Sequence, residues 1–150
     1  MSYKLLVYTF VVTALWDVVL NYMSRNHEKL PNIINKKMPF IKDLKPYFQH
    51  HTIMAAALIA GFVGATTQPM ILAVMSFPNS ITKVSHFLLI SFVISALYGF
   101  LMKWSGLFPY LERYYYDNLG HIRGMWHDGI SGLIVQTTLL ALSQIINIVK

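Results

Sequence analysis

Asp17 is an acid inside an apolar run. Between Leu5 and Met23 the other polar residues are Thr9, Thr13 and Asn21. An acid in a membrane span costs about 2.5 to 3.5 kcal/mol on insertion scales, so something must offset it. Thr9, Thr13, Asp17 and Asn21 recur every fourth residue, which on a helix gives one slowly drifting polar stripe. Such a stripe fits a proton or cation path. It fits equally an acid held by hydrogen bonds to another span or to a loop amide, the commoner use. Asp17 lies about 9 Å of helix rise from Met23 and is therefore off-centre, within reach of interfacial water. No basic partner inside a span is evident, which weakens the transport reading.

A second constellation is His121-Ile-Arg-Gly-Met-Trp-His-Asp-Gly129, with two histidines, Arg123 and Asp128 close together. A metal centre would need further ligands, such as His50 or His51 from the other long loop. A hydrolase would need a nucleophile, and Ser131 is the near candidate. Neither spacing matches a metal or triad pattern. The simpler expectation is a polar turn back into the membrane. Asp128 or Ser131 would cap the next helix, Trp126 would sit at the interface, and Arg123 would meet lipid phosphate. The chain contains no cysteine, so thiolate metal sites, disulfide scaffolds and cysteine nucleophiles are excluded. No cofactor, metal or catalytic set is expected, and the chain reads as a non-enzyme.

The elements that must position these residues follow from composition. Of 150 residues, 55% are hydrophobic and only 12% charged, about half the charge of an ordinary soluble domain; mean hydropathy is +0.50. A spanning helix needs roughly 20 mostly apolar residues. Four segments qualify: Leu5–Met23, Thr52–Phe77, Val84–Met102 and Ile130–Val149. The expected fold is all-α, a four-transmembrane-helix bundle forming one integral membrane domain over 1–150, with short interfacial helices in the two long loops. A cleaved signal is disfavoured for the first segment, because Asn21, Tyr22, Met23, Ser24 and Arg25 make a poor cleavage site.

Charge gives the orientation. Of 12 Lys and Arg residues, six lie in the first loop (Arg25, Lys29, Lys36, Lys37, Lys42, Lys45) and three in the third (Lys103, Arg113, Arg123). Cytoplasmic loops collect such cations, so both long loops are expected in the cytoplasm and both termini in the lumen or exterior. Prolines at 31, 39 and 46 break the first loop into short basic, amphipathic pieces, suited to an anionic leaflet or a partner; Lys36 and Lys37 are candidate contacts there, as Arg123 and Trp126 are in the third loop. That loop also offers a Tyr-rich helix from Pro109, with Gly120 as its C-terminal cap.

Inside the spans, Ala56, Ala60 and Gly64, beside Ala57, Gly61 and Ala65, form small-residue rows that allow close helix approach. Gln68 precedes Pro69, where a kink is expected. Gln136, Ser143 and Asn147 share a face and are expected to meet protein. Asp17, Asn21, Gln68 and Gln136 are the candidate intramembrane polar contacts.

The runs LWDVVLNYMS, YFQHHTIMAAALIAGFVGATTQP and YYYDNLGHIRGMWHDGISGLIVQTT are together similar to small multi-pass membrane proteins of large double-stranded DNA viruses. The resemblance covers about 60 residues, on the count of those three runs, and includes no catalytic signature. It implies a protein of a virion's internal membrane, beneath an icosahedral capsid, linking lipid to capsid components. The expected function is therefore structural: anchoring or organising capsid components. Its expected partners are the lipid bilayer, capsid or other membrane proteins, and a second copy in a homo-oligomer; direct nucleic-acid binding is not expected, because the cations are dispersed among apolar residues. The expected location is a virion internal membrane or host endomembrane. The alternative is a small proton or cation channel or transporter along the Asp17 stripe, with a membrane enzyme using His121, His127 and Asp128 third.

Overall fold

The computed structural model describes residues 3–42, 45, 52–75, 84–104 and 120–149, and of the helix ends at 75, 102–104 and 145–149 the backbone only. Five α-helices have described bounds, α1 (Tyr3–Arg25), α2 (Asn32–Lys37), α3 (Ile53–Met75), α4 (Val84–Trp104) and α5 (His121–Val149), and residues 40–42 and 45 are helical as well. A single 3-10 turn, His27–Lys29, lies between α1 and α2. The described residues contain no strand.

Three helices, within Tyr3–Arg25, Ile53–Val74 and Val84–Leu101, are long and apolar enough to cross a membrane. Their surfaces are inverted relative to a water-soluble protein. Val7, Val11, Leu15, Val18 and Tyr22 are exposed along one side of α1, and Leu89, Val93, Leu97 and Leu101 form an exposed row on α4. Meanwhile Thr9, Asn21, Ser24, Gln68, Ser91, Ser95 and Gln136 are buried. Water would drive this partition the other way; hydrocarbon around the outside accounts for it.

The helices pack chiefly in two pairs, α1 on α3 and α4 on α5, with narrower contacts between α3 and α4 and between α1 and α5. Small residues make both pairs possible. A side-chain carbon on Gly64 of α3 would collide with Thr13 of α1, and one on Gly61 would press on the Phe10 ring. In the second pair Gly132 lies against Ser95, and Gly99 against the Asp128 carboxylate. As one number rises the other falls, so α4 and α5 run antiparallel. Carried along the pair, this register sets the ends of α4's apolar stretch, Val84 and Leu101, level with Ser143 and Trp126 of α5.

Local sequence explains the ends. The Thr52 hydroxyl accepts the Ala55 N–H at 3.2 Å, an ordinary N-cap for α3. Helix α2 stops at Lys37 because Met38 precedes Pro39; the residue before proline is pushed out of the helical region, and Met38 has φ −127° and ψ 60°. Pro69 lies inside α3 without ending it; the hydroxyls of Thr66 and Thr67 donate to the Val63 carbonyl at 3.0 and 2.7 Å in the turn before it.

The chief departure from expectation is at α5. The stretch His121–Gly129 is not a polar turn: it is the beginning of a 29-residue helix. Asp128 and Ser131 therefore do not cap it. Gly120, with φ +79°, starts it, and its carbonyl accepts the Gly124 N–H at 3.0 Å. Gly129 admits α4 at close range, since a side chain there would strike the Phe92 ring. The Tyr-rich segment from Pro109, which Gly120 was expected to cap, lies outside the described residues.

Candidate functional site

Two polar regions emerge, one in the helix layer and one where the first loop meets α5. In the helix layer the stripe on α1 divides. The Thr9 hydroxyl donates to the Leu5 carbonyl at 2.8 Å and the Thr13 hydroxyl to the Thr9 carbonyl at 2.7 Å. Each hydroxyl is thus satisfied within its own helix, the usual local solution for such side chains. Asn21 is fully buried; its Oδ1 accepts the Arg25 Nε–H at 2.6 Å, while its Nδ2 is a buried donor with no hydrogen bond among the described residues. Asp17 is half-buried, with Oδ2 shielded from solvent.

The other two candidate contacts meet each other. Gln136 of α5 donates through Nε2 to Oε1 of Gln68 of α3 at 2.5 Å, and both side chains are buried. Beside them Trp16 Nε1 of α1 donates to the Thr138 hydroxyl of α5 at 2.9 Å, and that hydroxyl donates to the Ile134 carbonyl at 2.8 Å. Two inter-helix bonds therefore tie α5 to α1 and α3. Ser143 does not share this role: it is exposed and donates to the Leu140 carbonyl at 2.7 Å. The Asn147 side chain lies outside the described residues.

The second region joins distant parts of the chain. Phe40 of the first loop packs on His127 of α5, ring centroids 6.0 Å apart, and Ile41 beside it is buried. The first loop is internally braced as well. Asn35 Nδ2 donates to the His27 carbonyl at 3.0 Å, and Lys45 Nζ lies 3.3 Å from Glu28 Oε1. The hydrogen bond from Lys45, its charge, and that of His27 hold the Glu28 carboxyl below its ordinary value. Lys36 and Lys37, closing α2, are exposed. Arg123 is exposed on the first turns of α5, and Trp126 is 58% exposed with an edge-on contact to Phe92 at 5.2 Å between centroids. His121 packs edge-on against Phe100 at 5.6 Å. His127 and Asp128 are adjacent, yet among the described residues no three potential metal ligands converge; His50 and His51 lie outside them.

Sequence reading missed two contributors. The Trp16–Thr138 bond joins residues neither of which is unusual for a span. The seam of Ser91, Ser95 and Gly99 could have been found: small residues at every fourth position are the same signal that marks α3.

Comparison with known protein families, curated proteins and solved structures gives no match to this chain. The class rests on its own geometry: it is an all-helical membrane protein with apolar faces outward and polar contacts inward.

Proposed function

We propose that this chain is a non-enzymatic structural protein of a membrane, a four-helix bundle that anchors or organises a protein shell from its loops, with a viral internal membrane as the setting its sequence resemblance implies. The observation that carries the structural part is the use to which the buried polar groups are put. Gln68 bonds Gln136, Trp16 bonds Thr138, and the stripe threonines bond their own backbone. Those groups lock helices together and leave no continuous row of free polar atoms among them. In this reading helix α5 is the fourth crossing, and its antiparallel register with α4 supports that role. The setting is tested by chemical cross-linking in purified particles followed by identification of the linked chains. Links to shell components support the reading, whereas a particle inventory lacking the chain overturns its viral setting.

The competing reading is a proton or cation path along Asp17, Asn21 and Gln68. Its favourable feature is the shielded Asp17 oxygen within a span. Reconstitution into liposomes separates the two. Flux that vanishes in Asp17→Asn supports conduction; no flux from the native chain supports the structural reading.

A further inference from the structure

We infer that the first loop is a preformed binding face for anionic phospholipid headgroups, resting on the reading of the chain as an integral membrane protein. Three observations converge. The first is height. Phe40 sits on His127, and the neighbouring Asp128 lies against Gly99, four residues before Lys103, where the charge-free stretch of α4 ends. The loop also begins directly after Arg25, the last residue of α1. Phe40 is therefore near the end of one membrane-length helix and the start of the loop follows the end of another, the depth of lipid headgroups.

The second observation is charge. Arg25, Lys29, Lys36, Lys37 and Lys42 are all exposed. Glu28 is the single acid among the loop's described residues, and Lys45 engages its carboxylate. Among the described residues the exposed charges of the loop are therefore mainly cationic, complementary to anionic headgroups.

The third is the combination of apolar and basic groups on one short helix. Ile33 of α2 is 64% exposed, and Lys36 and Lys37 follow it by three and four residues, on the same side. A side chain able to enter the acyl boundary thus lies beside two that prefer the headgroups, the composition of an interfacial element. Burial of Ile41 and the Asn35 amide bond to the His27 carbonyl fix the loop's shape before any lipid arrives, which limits the ordering cost of binding.

The full-length chain in detergent micelles, offered phosphatidylserine and phosphatidylcholine at equal concentration, tests this by native mass spectrometry of retained lipid. Phosphatidylserine should be retained at least tenfold over phosphatidylcholine, on the basis of the attraction each cation adds near an anionic surface. The preference should collapse toward unity in Lys36→Gln/Lys37→Gln/Lys42→Gln and persist in the corresponding Lys→Arg triple. It should also fall sharply for the native chain in about 0.5 M salt, where screening acts within a few ångströms, a measurement that needs no variant to fold. Equal retention of the two lipids by the native chain overturns the inference, as does a preference unaffected by the glutamine triple. Equal lipid retention with membrane cross-links from Lys36 and Lys37 into an acidic protein also overturns it, in favour of a protein contact. Because the micelle contains no shell, failure here leaves the anchoring role standing, and failure of particle cross-linking leaves the lipid preference standing.

Discussion

The Gln68–Gln136 bond shows how an amide pair acts where water is scarce. Each side chain is buried, and replacing one leaves the other's polar atoms without their partner, at about 1 to 3 kcal/mol. The coupling itself is smaller, because amides in an unfolded membrane state also find partners; such couplings average about 0.6 kcal/mol. Gln136→Leu and Gln68→Leu should each lower the unfolding temperature in detergent, while the double variant should recover part of the loss. Strict additivity would place the two amides apart in the folded protein. Glu28 answers to a different physics, at the surface. Its carboxyl is held below the ordinary value of 4.5 by Lys45, so the contact favours the folded loop at pH values above the unfolded carboxylate value. That contribution is lost as the pH falls through the lowered folded value. A carbon-detected NMR titration of Glu28 should show its transition below the ordinary range, and Lys45→Gln should return it upward. An identical midpoint in both proteins would dissolve the pair.

Helix boundaries reveal which signals a sequence carries locally. Helices α3 and α4 are legible because no charge occurs between His51 and Lys83 or between Lys83 and Lys103, and α1 is legible because Asp17 is the single charge within Leu5–Met23. The beginning of α5 is not legible that way. Its first turns hold His121, Arg123, His127 and Asp128, which hydropathy reads as loop, and their helical state depends on α4: Gly99 makes room for Asp128, and Phe92 and Phe100 meet Trp126 and His121. Tertiary packing overrides local polarity there. The Phe40–His127 contact is likewise invisible to spacing, since it joins segments far apart in sequence. The two halves of the polar layer differ in the same way. Single buried amides were recognisable as Gln68 and Gln136, but their pairing required the fold. The α4–α5 seam makes a sharp prediction at this scale. A methyl at Gly132 collides with Ser95, so Gly132→Ala should destabilise the bundle by about 1 to 3 kcal/mol, the range for overpacking. Ser95→Gly in the same chain should restore part of it by vacating the space. Unchanged unfolding of Gly132→Ala would mean that the helices stand further apart.

At the scale of the whole molecule, topology decides which groups can meet lipid, shell or lumen. Nine of the twelve Lys and Arg residues lie within 25–45 or 103–123, in the first and third loops or the helix ends beside them, and moving the cationic first loop across a bilayer opposes the usual charge bias. That loop should remain cytoplasmic and the beginning of α1 should lie opposite. The position of the far end of α5 then distinguishes four crossings from three. If α5 crosses beside α4, Gln144 emerges on the side of Lys4; if it lies along the surface, Gln144 stays with the first loop. The native chain has no cysteine, so single introduced thiols report without background. Asn32, Lys4 and Gln144 are suitable because all three are exposed, whereas Asn35 is not, since its amide holds the His27 turn. In sealed microsomes an impermeant maleimide should label Asn32→Cys from outside. Lys4→Cys and Gln144→Cys should react only after the vesicles are opened. Labelling of Gln144→Cys together with Asn32→Cys in sealed vesicles would reduce the crossings to three and turn the Gln68–Gln136 bond into a contact at the membrane edge. Labelling of Lys4→Cys but not Asn32→Cys from outside would invert the molecule, carrying the cationic first loop, and with it every proposed lipid and shell contact, to the luminal face.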